Sequence, residues 1–374
     1  MAVKMESEVE LGFLEEQPSC VSSSVSSQTS SNYFPSKVGG MPVWLDPVHL
    51  PTTKQLECLI CQKPCLLLLQ MYAPLSDHPE TYHRSLFVFM CTDPDCHKEK
   101  SSLLPFRVLR CNLPRGNPYY PSEEGAESTR DLLPVKDEDS YSLSNPSPLC
   151  GLCGCPAPNK CGQCRKVHYC SRYHQLLDWK INHKADCKDF KNGKEIDEVA
   201  KASMVSGILL AEYEIVTETE PNYTIPSEEE RMAAYENYVS SEQYSKSKLP
   251  EEGCKDFEDL KMPKSEDKTF SKFKQRVSIE PDQVIRFQPG GDPLLISGDP
   301  SQSPSSVPTC NKCQSPRQFE FQIMPQLLYY LKLDSSPSQS SIDWGTLLVY
   351  TCSSNCFSSP GYNEEFLWKQ DPPL

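Results

Sequence analysis

The sequence has no long apolar run. In its 374 residues the apolar runs, such as Leu66–Leu69 and Leu86–Met90, are far shorter than the ~18 residues that a membrane-spanning helix needs. Residues 1–16 are acidic and lack the apolar core of a secretory signal. We therefore expect a protein of the cytoplasm and nucleus with no membrane partner, in which the 19 cysteines stay reduced.

The sequence also lacks net positive charge and catalytic motifs. It has 37 Lys and Arg against 51 Asp and Glu, a formal net charge of −14, so DNA is not the expected partner. It contains no His-Glu-x-x-His, Gly-x-Ser-x-Gly or Walker-type motif. We therefore expect a protein that is not an enzyme. The cysteines that fall outside metal-type spacing, none with a recognisable activating neighbour, are Cys20, Cys65, Cys111, Cys155 and Cys254.

The sharpest signal is a cluster of cysteines and histidines in the middle of the chain. Its pairs are spaced Cys-x2-Cys, Cys-x2-Cys, Cys-x3-His and His-x3-Cys, which is enough for two tetrahedral Zn²⁺ ions. A segment this short and polar has too little apolar material for a core, so metal must supply its folding free energy. The predicted ligands are Cys150, Cys153, Cys161, Cys164, Cys170, His174, His183 and Cys187.

The last part of the chain repeats the features of the first part in the same order. Each part has Gly-Gly-x-Pro, then Cys-x2-Cys, then a glutamine (Gln70 or Gln322), a strand-like apolar run and a second cysteine pair. We interpret this order as a duplication whose two halves pack as one pseudo-symmetric domain. Each half would bind one further zinc ion, with His97 as a rival ligand to Cys96. The two sets are Cys58, Cys61, Cys91 and Cys96, and Cys310, Cys313, Cys352 and Cys356.

The central cluster resembles the MYND zinc finger, a small cross-braced module. This resemblance implies that the first pair of ligands shares an ion with the third pair, and the second pair with the fourth. It also implies that Gln175 and Trp179, neighbours on one face of the intervening helix, bind proline-containing peptides such as those of co-repressors. Packing of Trp179 into the core of the finger is the alternative.

These features predict an α+β, β-rich fold: a duplicated zinc-bearing domain with the finger inserted between its halves on disordered acidic linkers. Phe270, Phe273 and Val277 have helical spacing and predict a short helix that leads into the last part. The predicted divisions are a flexible N-terminus (1–32), the N-terminal half (33–120), a linker (121–147), the finger (148–190), a largely disordered acidic linker (191–265), and the lead-in helix with the C-terminal half (266–374).

Four further segments resemble the programmed cell death protein 2 family. They are Ser36–Gly40 with the following Pro42 and Trp44, Met324–Leu328, Ser341–Gly345 and Glu365–Gln370. The resemblance covers both halves and the finger. It implies a nuclear and cytoplasmic protein linked to cell proliferation and cell death, and a role as a dedicated chaperone that escorts a small-subunit ribosomal protein during ribosome biogenesis.

Charge is compatible with such a client. Fourteen cysteine ligands as thiolates and four Zn²⁺ ions lower the net charge to about −20, which favours a basic ribosomal protein as the partner. Gln70, Gln322 and Trp368 either line a client cleft between the halves or are ordinary hydrogen-bonded strand residues. The alternative function is that of a transcriptional adaptor or DNA-binding regulator acting through the finger.

Overall fold

The structure is a computed structural model. It describes residues 8–16, 34–75, 78–100, 102–120, 147–191, 208–221, 268–299, 307–331, 333, 341–357 and 360–373. The predicted linker at 121–147 therefore lies almost wholly outside the described residues, as does most of 191–265. Among the described residues, no helix is long and apolar enough to cross a membrane.

The described residues are β-rich with few helices, as predicted. The helices are α1 (Arg172–Asp178), α2 (Lys184–Lys191), α3 (Lys268–Val277) and α4 (Leu327–Leu331), and a π-helical turn, Trp179–His183, joins α1 to α2. Helix α3 is the predicted lead-in helix, and it buries Phe273 and Val277. The strands are β1 (Glu10–Glu15), β2 (Lys37–Val38), β3 (Leu66–Tyr72), β4 (His83–Met90), β5 (Phe106–Leu113), β6 (Asn159–Lys160), β7 (His168–Tyr169), β8 (Tyr213–Thr219), β9 (Ile285–Phe287), β10 (Arg317–Ile323), β11 (Thr346–Cys352), β12 (Tyr362–Glu364) and β13 (Phe366–Gln370).

Eleven of these strands form one sheet in the order β12-β5-β4-β3-β2-β8-β1-β9-β10-β11-β13. All neighbouring strands are antiparallel. The two end strands, β12 and β13, are consecutive in the chain, and the N–H of Glu365 between them donates to the carbonyl of Val108 at 2.9 Å. One chain segment thus joins both ends of the sheet, and the N-terminal half contacts the C-terminal half there.

The middle of the sheet corrects two of the predicted divisions. Strand β1 lies in the segment expected to be flexible, but it pairs with β8 and with β9 of the C-terminal half and buries Leu11. Strand β8 lies in the segment expected to be largely disordered, but it pairs with β2 of the N-terminal half. The C-terminal half therefore pairs with β1, which precedes the N-terminal half in the chain. The N-terminal half pairs with β8, which precedes the C-terminal half. Each strand carries two glutamates and lies in a polar part of the chain, which is why these segments were expected to be flexible or disordered.

The interior of the sheet combines an apolar core with buried ion pairs between the halves. Strand β4 contributes Leu86, Val88 and Met90 to this core. On the same face of β4, Arg84 donates to both carboxylate oxygens of Glu320 on β10, at 2.7 and 2.9 Å. Burial alone would raise the pKa of Glu320, but its interactions with Arg84 outweigh that effect and hold the pKa below its ordinary value.

The finger packs directly on the N-terminal half, whereas the sequence analysis placed it on linkers. The indole N–H of Trp44 donates to the carbonyl of Gly154 in the finger at 2.8 Å. The Trp44 ring stacks on Phe87 and Phe89 of β4, with centroids 5.3 and 5.9 Å apart. These residues share one buried cluster with the cysteines of the finger. The outer face of β4 is thus covered by the finger.

Candidate metal centres

The structure brings together four groups of side chains, and each group could hold a metal ion. Within each group, the sulfur and nitrogen atoms lie within 4.8 Å of one another. The groups coincide with the predicted sets, and in the finger they combine the first pair with the third and the second with the fourth. They are Cys58/Cys61/Cys91/Cys96, Cys150/Cys153/Cys170/His174, Cys161/Cys164/His183/Cys187 and Cys310/Cys313/Cys352/Cys356. We name them the N-terminal centre, the first and second finger centres, and the C-terminal centre.

The donor atoms fit zinc in kind and in spacing. Four cysteines, or three cysteines and one histidine, are the usual ligands of structural zinc. A tetrahedron with zinc–sulfur bonds of ~2.3 Å has sulfur atoms about 3.8 Å apart. The sulfur–sulfur separations range from 3.4 Å for Cys313–Cys352, through 3.6 Å for Cys61–Cys91 and 3.7 Å for Cys310–Cys356, to 3.9 Å for Cys161–Cys187. These distances are far too long for disulfides.

All four Cys-x2-Cys turns have the same backbone geometry. In each, the residue after the second cysteine has a positive φ, and its N–H donates to the carbonyl of the first cysteine at 2.9–3.0 Å. Such a turn points two sulfurs at one position. Only one of these residues is the glycine that a positive φ favours, so the shared geometry could not be predicted from residue type. The four residues are Gln62 (58°), Gly154 (68°), Arg165 (57°) and Gln314 (63°).

Of the two neighbouring candidate ligands, Cys96 and His97, the structure places Cys96 in the N-terminal group. The sulfur of Cys96 belongs to the N-terminal centre. The His97 ring instead places Nε2 2.7 Å from the carbonyl oxygen of Cys91 and packs edge-on against Phe106. His97 thus holds the backbone of a neighbouring ligand residue.

In the finger, α1 and the π-helical turn position the two histidines. The hydroxyl of Ser171 caps α1 by accepting from the N–H of His174. The Nδ1 atom of His174 lies 3.1 Å from the sulfur of Cys170. The π-helical turn ends at His183, whose Nε2 lies 3.5 Å from the sulfur of Cys164.

Comparison with known proteins agrees with this geometry. The programmed cell death protein 2 N-terminal domain matches residues 8–127, the C-terminal domain of that family matches residues 267–371, and the MYND finger matches residues 150–187. Programmed cell death protein 2 of Rattus norvegicus is 40% identical over an alignment of 375 residues, which covers 99% of this chain and 98% of the relative. The chain belongs to the programmed cell death protein 2 family.

Other relatives of this family member span the same length. The Mus musculus programmed cell death protein 2 is 39% identical over 99% of this chain and 98% of its own. A Schizosaccharomyces pombe protein named probable 20S rRNA accumulation protein 4 is 26% identical over 91% of this chain and 92% of its own. No solved structure matches the chain.

The two glutamines of this family member do not line a cleft. Both are buried, and each hydrogen-bonds to the backbone N–H and to the carbonyl of one residue in a preceding loop. Gln70 accepts from the N–H of Val43 at 2.9 Å and donates to its carbonyl at 3.1 Å. Gln322 does the same with Leu294, at 2.7 and 3.1 Å. Of the two readings left open by the sequence, the hydrogen-bonded strand residue is correct for both. Trp368 is half-buried beside Phe366.

The remaining described cysteines of this family member are buried thiols. Burial raises the pKa of Cys65 and of Cys111, so both stay protonated at neutral pH. Cys155 is also buried and lies outside the four groups. Cys20 and Cys254 lie outside the described residues. Protonated, inaccessible thiols are poor nucleophiles.

Proposed function

We propose that this chain is a non-enzymatic zinc protein of the cytoplasm and nucleus that escorts a basic small-subunit ribosomal protein during ribosome biogenesis. The ribosomal part of the proposal is supported by the Schizosaccharomyces pombe relative, whose name refers to accumulation of 20S rRNA. The basic nature of the client is supported by the net charge of −14 and by the distribution of acidic groups on the sheet.

The observation that carries the client proposal is an acidic surface on the central strands β1 and β8. Glu15 lies directly opposite Glu214, and Glu218 lies opposite Leu11. Glu214 also lies opposite Lys37 of β2, whose ammonium group pairs with Glu212, so this one lysine is outnumbered and the strands carry net negative charge. The core-facing side of the same strand pair carries Leu14 and Ile215, so these glutamates lie on the outer side.

This surface also offers apolar contacts. Phe13 and Val216 lie opposite each other between the glutamates, and both are half-buried. Charged groups speed the encounter with a partner of opposite charge, while apolar contacts contribute affinity that salt does not screen. A basic segment with a few apolar side chains is the ligand that such a surface fits.

Four Zn²⁺ ions per chain would support this scaffold. Each group supplies four protein ligands, which is typical of structural zinc and leaves no position for a catalytic water. The matching contacts of Gln70 and Gln322 support our interpretation that the two halves arose by duplication. In this proposal the metal stabilises structure and takes no part in a reaction.

A second function is proposed for the finger, namely the binding of proline-containing peptides by Gln175 and Trp179. Both side chains are half-buried, and the Trp179 ring packs edge-on against His183 at 5.9 Å. We expect Trp179→Ala to abolish peptide binding while both finger ions stay bound, measured by titration calorimetry and elemental analysis. Loss of zinc in this variant would instead assign Trp179 to the core of the finger.

The main proposal is tested with purified full-length protein and salt-extracted small-subunit ribosomal proteins. We expect one basic protein to remain soluble at equal stoichiometry. Its association should slow as salt rises from about 0.05 to 0.5 M, because the Debye length falls from roughly 14 to 4 Å. Recovery of co-repressor subunits, or of nuclease-sensitive chromatin, from gently lysed cells would favour the alternative of a transcriptional adaptor or DNA-binding regulator.

A matched pair of variants locates the client surface. We expect the double substitution Glu15→Lys and Glu214→Lys to weaken client binding strongly. The control, Glu80→Lys with Glu99→Lys, makes the same change in net charge at exposed positions away from β1 and β8. Equal loss of binding in both variants would mean that only overall charge matters.

A further inference from the structure

The C-terminal centre is built from both halves of the chain. Its second cysteine pair lies on the loop Cys352–Cys356, and residues of β5, in the N-terminal half, hold this loop. The guanidinium of Arg110 donates to the carbonyl of Cys356 at 3.3 and 3.4 Å and lies 3.8 Å from its sulfur. The amide of Asn112 donates to the carbonyl of Asn355 at 3.2 Å. Both donors are buried.

A buried carboxylate links these contacts to the first cysteine pair of the same centre. Glu365 accepts from Arg110 at 2.7 Å and from Arg317 at 2.8 Å, and it also accepts from the N–H of Cys352 at 3.2 Å. Arg317 in turn donates to the carbonyl of Thr309, which directly precedes Cys310. Two arginines, one from each half, thus flank the centre and share one carboxylate.

Charge ties this arrangement to the metal. Four thiolates around a divalent ion carry a net charge of −2, and the guanidinium of Arg110 lies beside one of these sulfurs, that of Cys356. Without the ion nothing holds the four sulfurs in one group, so the carbonyl and sulfur of Cys356 are no longer fixed beside the buried guanidinium of Arg110. An uncompensated buried charge is strongly destabilising. Loss of the ion therefore disfavours the packing of Arg110 against the C-terminal half.

The corresponding position of the other half differs. Arg110 pairs with Leu86, five residues before Cys91, and Lys369 pairs with Leu347, five residues before Cys352. Lys369, however, forms its ion pair with Asp371 of its own half at 2.7 Å. Lys369 also lies close enough to His97 of the N-terminal half to act on its charge, so the difference is that Arg110 hydrogen-bonds the metal-binding loop itself.

The C-terminal centre is also the most accessible of the four. Cys313 is exposed, whereas none of the other three groups has an exposed member. A chelator or a competing metal-binding protein can approach this ion most easily.

We propose that the C-terminal centre is a metal-dependent clamp between the two halves, in which Arg110 and Asn112 are positioning residues for the metal-binding loop. Metal binding at this centre and contact between the halves are then linked, each strengthening the other. This role does not depend on the client proposed above, because it concerns only the chain and its metal.

The first test uses the unaltered, zinc-loaded full-length protein. A metallochromic chelator, 4-(2-pyridylazo)resorcinol, removes the most accessible ion, and N-ethylmaleimide marks the freed thiols for peptide mass spectrometry. We expect Cys313 and Cys356 to be marked first and amide hydrogen exchange in Phe106–Leu113 to rise at the same stage. Marking of these cysteines with unchanged exchange in β5 would overturn the proposal.

The second test uses Arg110→Lys, which keeps the charge but loses the branched donor. We expect zinc release from the C-terminal centre to become about tenfold faster or more, with release from the N-terminal centre unchanged. Arg107→Lys is the control, because Arg107 lies on the same strand and donates to the carbonyl of Glu57, beside Cys58.

Equal acceleration at both flanking centres in Arg110→Lys would indicate general loosening and overturn the proposal, as would unchanged release. If that variant does not fold, Asn112→Ala, which removes one neutral hydrogen bond, provides the same comparison with a smaller expected acceleration.

Discussion

The placement of β1 in the middle of the sheet predicts that Gly12 tolerates no side chain. A Cβ atom at Gly12 would lie 3.0 Å from Cγ2 of Ile215 on β8 and 3.1 Å from Cβ of Ile285 on β9. Carbon atoms in contact prefer about 3.5–4.0 Å. Because β8 and β9 flank β1 on opposite sides, the strand cannot move away from one without approaching the other.

The expected effect follows from this crowding. A glycine in a strand is ordinarily about 0.5–1 kcal/mol less favourable than alanine, so a free position would be stabilised by substitution. At Gly12 we expect the opposite sign: overpacking by Gly12→Val should lower the free energy of unfolding by about 1–3 kcal/mol. Gly116→Ala is the control, because no atom lies within 4 Å of its Cβ position.

The assay is urea unfolding of both variants and the parent, followed by tryptophan fluorescence at constant zinc. A lower midpoint for Gly12→Val with an unchanged slope reports a loss of stability. Amide hydrogen exchange should rise in β8 and β9, the two neighbours of β1. A Gly12→Val protein as stable as the parent would show that β1 is not held in the sheet, and would restore the flexible N-terminus that the sequence suggested.

Three further predictions concern the metal, the finger and pH. Elemental analysis should find four zinc ions per chain and three in Cys310→Ser; a value of two in the parent would confine zinc to the finger. Trp44→Phe leaves the carbonyl of Gly154 without its donor and should weaken docking of the finger by about 1–3 kcal/mol, seen as faster amide exchange in 150–187. Because the pKa of Glu320 is lower in the folded than in the unfolded protein, its pair with Arg84 stabilises the fold at neutral pH and loses this effect as pH falls below about 4.5. Glu320→Gln should therefore cost about 3–5 kcal/mol at pH 7 and flatten the acid side of the stability profile.

Local patterns explain why the metal-binding groups could be predicted from the sequence. A Cys-x2-Cys turn is specified by residues that are adjacent in the chain, and the order of features in the two halves indicated which pairs belong together. The pairing of β1 with β8, and of β8 with β2, depends instead on contacts between residues about 200 positions apart. The six-residue sequence of β1 does not indicate which strands it pairs with.

The roles of individual polar residues also divide into those set by nearby sequence and those set by distant contacts. Gln70 and Gln322 could be recognised as equivalent because each stands at the same distance from a cysteine pair. Their hydrogen bonds to Val43 and Leu294 depend on the fold of a separate loop, so the choice between cleft and core stayed open. Arg110 was missed for a related reason: its partners lie more than 240 positions away.

The positions of the flanking centres suggest what their metal is for. The sheet already has a large apolar core and buried ion pairs, so it does not need zinc in order to bury enough surface. Both flanking centres lie where two parts of the chain meet. Lys63, beside the N-terminal centre, places its ammonium group 5.6 Å from the ring of Tyr173 on α1 of the finger, and the C-terminal centre meets β5 through Arg110. We therefore propose that zinc at these sites would stabilise the junctions between parts more than the parts themselves. For the client-escort function proposed above, such an arrangement would let the parts loosen without loss of the sheet.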